Sequence, residues 1–201
     1  MSDLLVVGYY TDDLVYAQYY KRWRDSLQEL GYESEAFVIA DRGSWQANTQ
    51  AKAEILYEFA LNNMGRRCLY LDVDAVVLGS LDYFETLEAD VGCHIRRARQ
   101  ELLSGTIYFQ ANERVIELFK VWEDENLTHG TLWEQRNLHA AIRKSKDIKF
   151  ENIPPEYCFI FDLMQKEFPN VTPIIKHMQA SREAKQRRRD GSLVCDSQCE
   201  S

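Results

Sequence analysis

Apolar runs alternate with helical periodicity over the first 80 residues of the chain. Segments at Leu4–Val7, Ala36–Ala40 and Cys68–Leu78, the last interrupted by two aspartates, predict three buried strands. Between them, apolar residues recur at spacings of three and four around residues 16–27 and 49–63, which predicts two helices. Such alternation is typical of a parallel sheet covered by helices, with the third strand near its centre.

The second half of the chain continues this pattern. Strands are predicted at 91–95, 102–109 and 171–177, and helices at 112–125 and 132–143. Pro173 is expected to confine the last strand to a sheet edge, because proline has no N–H to donate. Gly105 inside a predicted strand indicates a place where a ligand or another backbone segment approaches closely.

Polar or glycine-containing segments follow each of the first three strands. These segments are Gly8–Thr11, Asp41–Ser44 and Asp72–Asp74. Ligands of open α/β sheets bind beyond the carboxyl ends of the strands. We therefore expect one ligand site along this rim, and we expect Asp12 or Asp13 to cap the first helix.

Asp72 and Asp74 are the candidate metal ligands at this rim. Residues two apart on a strand share a face, so their carboxylates can point the same way. Paired oxygen donors favour Mg²⁺ or Mn²⁺ over Zn²⁺, and His177 at the end of a later strand could complete the set. The alternative is that the two aspartates only cap the turn after the strand.

Composition favours one domain of ordinary globular type. The chain has 201 residues, of which 45% are hydrophobic and 28% charged, enough to bury a core. It shows no apolar stretch of membrane-spanning length and no signal segment, so a cytoplasmic location is expected. The five cysteines form no disulfide or zinc pattern and are interpreted as reduced thiols.

Basic residues cluster in two places. Arg96, Arg97 and Arg99 are predicted to form a loop, and Arg187–Arg189 lie in a charged polar tail over residues 183–201, after a domain of residues 1–182. The tail is most simply a solvated segment, with a phosphate or nucleic-acid contact as the alternative. The net charge of −8 argues against a dedicated nucleic-acid coat protein.

Common nucleotide-binding and hydrolase motifs do not occur in the sequence. It has no Gly-x-Gly-x-x-Gly segment and no Gly-x-x-x-x-Gly-Lys loop, which excludes the usual dinucleotide and P-loop sites. It also has no Gly-x-Ser-x-Gly nucleophile elbow.

The pattern as a whole resembles the nucleotide-sugar glycosyltransferases with the GT-A fold. Leu69–Gly79 is similar to the family's Asp-x-Asp segment, a strand that reads tyrosine, leucine, Asp-x-Asp and then apolar residues before a glycine. Further matches follow in the family's order over residues 4–182, at Gly8–Thr11, Lys52, Ser104–Phe109, Glu134–Leu138 and His177. The resemblance implies a single-domain, Rossmann-like α/β fold with a central, mainly parallel sheet flanked by helices.

The resemblance implies a reaction that moves a hexose or pentose from a nucleoside diphosphate sugar, a UDP-sugar, to an acceptor hydroxyl. Asp74 and His177 would bind Mn²⁺ or Mg²⁺ directly, and Asp72 would also contact the ribose or a metal-bound water. Lys52 and Arg182 would share the neutralisation of the departing diphosphate. The acceptor could be a saccharide, a protein or modified DNA, and no membrane span is expected.

The remaining site residues are also implied by the resemblance. Gly8, Tyr9, Tyr10 and Thr11 would form the nucleotide-binding segment, with Tyr9 and Thr11 at the base and ribose. Ser104, Gly105, Glu134 and Gln135 would face the donor sugar and the acceptor hydroxyl. Glu134 is the candidate for positioning the sugar or for acting as a base, and the order of these motifs favours retention of configuration.

The sequence departs from the family's pattern at three points. Glu134 stands where aspartate is usual, and Ser104 where asparagine is frequent. After His177 the family often has glycine and then Lys-Pro-Trp, whereas this chain has Ala180, Ser181 and Arg182. Arg182 could take over the diphosphate contact.

Three other functions share some of these features. One is a glycosyltransferase that acts on hydroxymethylated bases of DNA through the two basic clusters. Another is a catalytically silent module that binds UDP-sugars. The third is metal-dependent phosphoryl or nucleotidyl transfer, which uses the same pair of carboxylates.

Overall fold

The computed structural model describes residues 3–96 and 99–189. Its strands are β1 Leu4–Thr11, β2 Glu33–Ile39, β3 Arg67–Leu71, β4 Ala75–Val77, β5 Val91–Arg96, β6 Glu101–Gln110, β7 Phe150–Asn152, β8 Phe159–Ile160 and β9 Ile175–His177. Its helices are α1 Leu14–Glu29, α2 Trp45–Asn62, α3 Asp82–Glu85, α4 Glu113–Thr128, α5 Glu134–Lys144, α6 Leu163–Glu167 and α7 Ala180–Arg189. Pro155–Tyr157 form one turn of 3₁₀ helix.

The main sheet has six strands in the order β2-β1-β3-β6-β5-β7. The pairs β1–β2, β1–β3 and β5–β7 are parallel, whereas β6 is antiparallel to both of its neighbours. Five strands therefore run in one direction and β6 runs against them, which confirms the predicted central, mainly parallel sheet. A second sheet has three strands in the order β4-β9-β8.

Each face of the main sheet has its own hydrophobic cluster. On one face, Phe59 of α2 and Trp122 of α4 pack with Phe109 of the sheet. On the other face, Trp23 of α1 packs with Leu69 and with residues of the small sheet. The two-faced burial explains why the strands are continuous apolar runs rather than alternating ones.

Side-chain caps fix where the first two helices begin. Asp13 accepts hydrogen bonds from the backbone N–H groups of Val15 and Tyr16, each at 3.0 Å, which confirms a predicted cap of α1. Ser44 caps α2 by accepting from the Ala47 N–H at 3.1 Å, so α2 begins at Trp45, four residues earlier than predicted. An N-cap of this kind contributes about 1 kcal/mol.

Three local predictions from the sequence are wrong. Gly8–Thr11 is not a loop, because β1 continues to Thr11 and stays paired with β2. Asp72 and Asp74 do not lie on a strand, because β3 ends at Leu71 and a turn closed by the Ala75 N–H and the Asp72 carbonyl, 2.9 Å apart, follows. The last strand is not an edge strand, since Pro173 precedes it and β9 lies between β4 and β8.

Strand β6 contains a bulge on the side that faces β5. Gly92 pairs with Tyr108, but His94 pairs with Leu103, so two steps along β5 correspond to five along β6. Residues 104–107 are thereby released from regular pairing with β5. Bulges of this kind re-aim side chains and are frequent next to active sites.

The chain after β9 continues as helix α7, Ala180–Arg189. The boundary predicted between residues 182 and 183 falls inside this helix, which packs on α1 through a 3.0 Å hydrogen bond from the Tyr19 hydroxyl to Glu183. Residues 190–201 of the predicted tail lie outside the described part of the chain. None of the helices within residues 3–96 and 99–189 combines the length and the apolar character of a membrane-spanning segment.

Candidate active site

A cavity of 480 Å³ opens where β1 and β3 end. All but one of the residues that the sequence assigned to the site line it, namely Tyr9, Tyr10, Thr11, Lys52, Asp72, Asp74, Ser104, Gly105, Glu134, Gln135, His177 and Arg182. Gly8 is the exception. A Cβ atom on Gly8 would lie 3.1 Å from the Leu71 carbonyl oxygen and 3.2 Å from the Val73 side chain, so this glycine permits close packing behind the cavity.

Asp72, Asp74 and His177 form one group of candidate metal ligands. One ligand atom of each lies within 4.8 Å of the other two. The turn after β3 supplies the carboxylates, and β9 brings the imidazole beside them by pairing with β4. His177 Nε2 lies 2.9 Å from the Thr106 hydroxyl. When Nε2 donates its proton to that hydroxyl, Nδ1 presents its lone pair to the two carboxylates.

Two buried atoms of this group have no hydrogen-bond partner among the described residues. They are Oδ1 of Asp74 and Nδ1 of His177, which lie 3.5 Å apart. The other oxygen of Asp74 accepts from the Ala180 N–H at 2.8 Å, which fixes the carboxylate at the start of α7. Buried polar atoms without a partner are rare in proteins, and two ligand atoms facing each other fit a bound cation.

The surroundings of His177 favour positive charge. Burial lowers the pKa of the imidazole, but Asp74 and Cys158 raise it to a net value of about 10. Burial alone would raise the pKa of the Asp72 carboxyl. The positive charges of Lys52 and then His177 outweigh this effect and lower the pKa. Without a bound cation the imidazole is therefore protonated near pH 7, and a divalent cation that binds at Nδ1 would displace this proton.

The lack of a side chain at Gly105 makes room for His177 and Asp72. A Cβ atom at this position would lie 3.0 Å from Cε1 and 3.1 Å from Nδ1 of His177, and 3.2 Å from Oδ2 of Asp72. These distances are shorter than ordinary carbon contacts, so a side chain here would displace the imidazole. Gly105 thus has a close neighbour, as predicted, but the neighbours are the side chains of His177 and Asp72 rather than a backbone segment.

Lys52 lies at the centre of a buried network. Only 2% of the residue is exposed, and its ammonium group lies 3.1 Å from Oδ1 of Asp72, 3.1 Å from Oε1 of Glu134 and 3.0 Å from the Ser104 carbonyl oxygen. Burial lowers the pKa of Lys52, but the two carboxylates raise it well above its usual value. The Ser104 hydroxyl donates a short hydrogen bond to the same oxygen of Glu134. Lys52 is thus shared by two carboxylates at the cavity and balances one of their two negative charges.

Aromatic and hydroxyl side chains at the end of β1 line one part of the cavity. The Tyr9 hydroxyl donates to the Asn48 carbonyl oxygen at 2.9 Å, and burial raises the pKa of Tyr9 far above its usual range. Tyr10 stacks on Tyr20 with the ring centroids 4.7 Å apart. Thr11 donates to Asp13 at 2.8 Å. This corner of the cavity can therefore hold a flat aromatic group.

Two further predicted residues lie at the cavity with partners of their own. Gln135 donates to Glu101 at 2.9 Å. Arg182 forms an exposed ion pair with Asp162 at 2.5 Å. Exposed ion pairs contribute little to stability, so a phosphate could replace Asp162 at low cost.

Aromatic residues at the cavity were missed by the sequence-based prediction. The Tyr70 hydroxyl donates to Asp72 at 2.6 Å and orients this carboxylate. Trp45 and Trp133 meet edge to face, with the ring centroids 6.2 Å apart, and the ammonium group of Lys185 lies 4.3 Å from the centre of the Trp45 ring. Only the position of each tryptophan next to the start of a predicted helix could have indicated its place at the rim.

The prediction that Arg96 belongs to a basic loop is wrong. It is the last residue of β5, is buried, and pairs with Glu167 at 2.9 Å and with Glu101 at 3.5 Å. Arg99 lines the cavity, and Arg97 lies outside the described residues.

Known proteins resemble this chain in both sequence and fold. A sequence model of the nucleotide-diphospho-sugar transferases matches residues 23–190. A comparison with curated proteins finds no match. Among solved structures, a glycosyltransferase involved in the glycosylation of the major capsid of PBCV-1 matches with a TM-score of 0.69 and 12% identity, over 93% of this chain and 98% of that one.

A second solved structure with the same fold is the glycosyltransferase GlyE of Streptococcus pneumoniae TIGR4. It matches with a TM-score of 0.61 and 15% identity, over 86% of this chain and 53% of that one. The chain therefore spans about half the length of GlyE. The family match covers most of the chain and agrees with its mixed α/β architecture. The chain accordingly belongs to the nucleotide-diphospho-sugar transferase family and is a glycosyltransferase with the GT-A fold.

Proposed function

We propose that this transferase moves a sugar from a UDP-sugar to an acceptor hydroxyl with the help of Mn²⁺ or Mg²⁺. The observation that carries the proposal is the pair of buried ligand atoms on Asp74 and His177, which face each other at 3.5 Å without a hydrogen-bond partner among the described residues, beside the Asp72 carboxylate. Two carboxylates and one imidazole suit a divalent cation that keeps open positions for phosphate oxygens. When bound there, the cation would neutralise the charge that develops on the departing diphosphate.

The chain's own residues would hold the donor around this point. Tyr10 and Thr11 at the end of β1 would flank the base and the ribose, since they line the same cavity as Asp72. Arg182 would exchange its exposed partner Asp162 for a phosphate oxygen. Lys52 would act through Asp72 and Glu134, because both carboxylates already hold its ammonium group.

Glu134 would position the donor sugar rather than act as a base. Both of its described partners, Lys52 and Ser104, donate to Oε1. A carboxylate held in place by an ammonium group and a hydroxyl group is a well-oriented hydrogen-bond acceptor. Its second oxygen can then receive a sugar hydroxyl, and Gln135 can reach the same region from the next position of α5.

The structure gives less support to a DNA acceptor. Of the basic loop predicted to contact phosphates, Arg96 is buried between Glu167 and Glu101, and of the basic C-terminal cluster, Arg187 pairs with Glu183 at 2.6 Å. Phosphate contacts from these two residues would require both ion pairs to break.

Thermal unfolding with UDP, in the presence and absence of Mn²⁺, tests the proposal directly. We expect UDP to raise the unfolding temperature only when Mn²⁺ is present, because binding to the native state alone stabilises it. The same samples are then supplied with UDP-hexoses and UDP-pentoses, and release of UDP is measured. UDP binding that ignores the metal would contradict the three-ligand site, and UDP binding without sugar release from any donor would indicate a silent module.

A further inference from the structure

A second cavity adjoins the first on the side of Trp133 and Gln135. It has a volume of 350 Å³, and its lining includes Arg99, Glu101, Trp133, Gln135, Arg136 and His139. Four of these residues, Arg99, Glu101, Trp133 and Gln135, also line the first cavity. The two cavities therefore share a wall, at the place where Glu134 and Gln135 would face the donor sugar.

Trp133 presents a fixed aromatic surface at this shared wall. The residue is 50% exposed, although large aromatic side chains are usually buried. The side-chain amides of Gln46 and Gln50 donate to the Leu132 carbonyl oxygen at 3.2 and 3.4 Å, which ties the preceding loop to α2. The ring itself meets Trp45 edge to face, with the ring centroids 6.2 Å apart, and its open face suits the apolar C–H face of a pyranose ring.

The second cavity also carries unpaired positive charge. Among the described residues, neither Arg99 nor Arg136 has an ion-pair partner, in a chain whose net charge is −8. The one carboxylate of the lining, Glu101, already pairs with Arg96 and accepts from Gln135. Unpaired guanidinium groups in a concave site are well suited to bind phosphate or carboxylate groups.

His139 contributes a polar group without charge to the same cavity. Burial lowers its pKa, and Arg143 lowers it further, so the ring is neutral near pH 7. A neutral imidazole can donate and accept one hydrogen bond each, as sugar hydroxyls do. The lining therefore combines an aromatic face, hydrogen-bonding groups and two cations.

The geometry points to the second cavity as the acceptor site, and to a saccharide that carries an anionic group as the acceptor class. This inference rests on the proposed function, since an acceptor site has meaning only beside a donor site. In the transfer, the acceptor oxygen bonds to the anomeric carbon of the donor while the bond from that carbon to the diphosphate oxygen breaks. The diphosphate leaves with the bonding electron pair, and the hydroxyl proton passes to the departing phosphate and then to solvent.

Matched saccharides test the acceptor class. Glucose is compared with glucose 6-phosphate and glucuronic acid, and galactose with galacturonic acid, by release of UDP above the rate of donor hydrolysis. We expect at least one anionic sugar to show a KM at least tenfold lower than its neutral counterpart. The lower KM of glucose 6-phosphate or glucuronic acid then shows whether the site prefers a phosphate or a carboxylate group on the acceptor. Equal use of neutral and anionic sugars, or no stimulation by any of them, would overturn the inference.

Arg136 provides the sharpest variant, because it lines the second cavity and not the first. We expect Arg136→Gln to remove the preference for the anionic sugar, measured as the ratio of kcat/KM for the charged and neutral members of a pair. Arg22→Gln, at an exposed arginine of α1 that lines neither cavity, should leave this ratio unchanged. A ratio that is insensitive to Arg136→Gln would contradict the assignment.

Trp133 is tested by the split between KM and kcat. We expect Trp133→Ala to raise the KM for every saccharide acceptor at least tenfold and Trp133→Phe to restore most of the binding, because phenylalanine keeps a flat face. A fall in kcat without a change in the acceptor KM would assign Trp133 to another role. If the wild-type protein neither binds UDP nor hydrolyses a UDP-sugar, the proposed function fails as well. Hydrolysis without anionic preference removes only the acceptor assignment.

Discussion

Nδ1 of His177 faces Oδ1 of Asp74 at 3.5 Å, and neither buried atom has a hydrogen-bond partner among the described residues. The two residues are more than 100 positions apart in the chain and meet because β9 pairs with β4 directly after the turn that carries Asp74. A charged imidazole and a carboxylate can occupy this arrangement, and so can a cation between two lone pairs. Substitution of the carboxylate distinguishes between these two states.

Asp74→Asn tests the metal site with little change in shape. The amide oxygen can still accept from the Ala180 N–H, so α7 should keep its start. We expect Mn²⁺-dependent hydrolysis of a UDP-sugar to fall about 100-fold or more, because one charged ligand is lost from the site. Asp12→Asn, at an exposed aspartate outside the cavity, is the matched control. Unchanged turnover in Asp74→Asn would remove the cation from the mechanism.

Lys52→Met tests the buried network. The substitution leaves Glu134 and Asp72 without their shared cation, and we expect the free energy of unfolding to fall by about 3 kcal/mol in urea titrations. In the double variant Lys52→Met/Glu134→Gln, we expect at least about 1 kcal/mol of this loss to be recovered, since one unpaired carboxylate is removed. Additive effects of the two substitutions would contradict the coupling.

Gly105→Ala tests the close approach at the site. The new methyl group would lie 3.0 Å from the His177 ring, so either the imidazole or β6 must shift. We expect a loss of about 1–3 kcal/mol in stability and the loss of the Mn²⁺-dependent thermal shift with UDP. Gly79→Ala is the matched control, because its Cβ would find only Ile174 at 3.7 Å, an ordinary contact. Retention of the metal effect in Gly105→Ala would show that the site tolerates a side chain there.

Asp90 does not line either cavity, and its contribution to the free energy of unfolding depends on pH. It is 2% exposed and accepts from Arg114, Asn112 and the Lys149 N–H at 2.6, 2.8 and 2.9 Å. Burial alone would raise the pKa of Asp90, but these hydrogen bonds lower it from 3.8 to about 2. A folded pKa below the unfolded value stabilises the protein above about pH 4, and this stabilisation is lost as the pH falls toward 2.

For Asp90→Asn we therefore expect a loss of about 2 kcal/mol at pH 7, measured by urea unfolding. The difference from the wild-type protein should shrink as the pH is lowered from 4 toward 3. Glu88→Gln, at an exposed position two residues earlier, should change the stability by less than about 0.5 kcal/mol. A difference that does not depend on pH would assign the effect of Asp90 to packing rather than to its charge.

The order of strands and helices could be predicted from the sequence because two-sided burial leaves continuous apolar runs and helical spacing. The places of Asp13, Gly105 and His177 in the fold could also be predicted. A helix cap, a glycine within a strand and a strand end each have a local sequence signal. The convergence of Asp72 and Asp74 was predicted for a wrong reason. It comes from a turn rather than from a shared strand face, and turn geometry after a buried strand leaves no periodic signal.

Other features depend on contacts between distant segments. The buried position of Arg96 is set by Glu167, 71 residues away, and no local pattern indicates this pair. Trp45 and Trp133 become neighbours only when α2 and α5 pack on the same face of the sheet. Lys52 was predicted as a diphosphate contact, whereas the structure places its ammonium group between two carboxylates that are remote in sequence.

The bulge in β6 makes the length of one short segment critical. Leu102 and Ile107 belong to one hydrophobic cluster, whereas Leu103 and Tyr108 belong to the other, so the odd number of steps across the bulge inverts which residues face which layer. Deleting a single amino acid between Leu103 and Tyr108 would move half of this strand's apolar side chains into the opposite layer and displace Gly105 from the imidazole. Insertions or deletions in this segment are therefore expected to prevent folding, so that no folded variant with an altered active site is obtained.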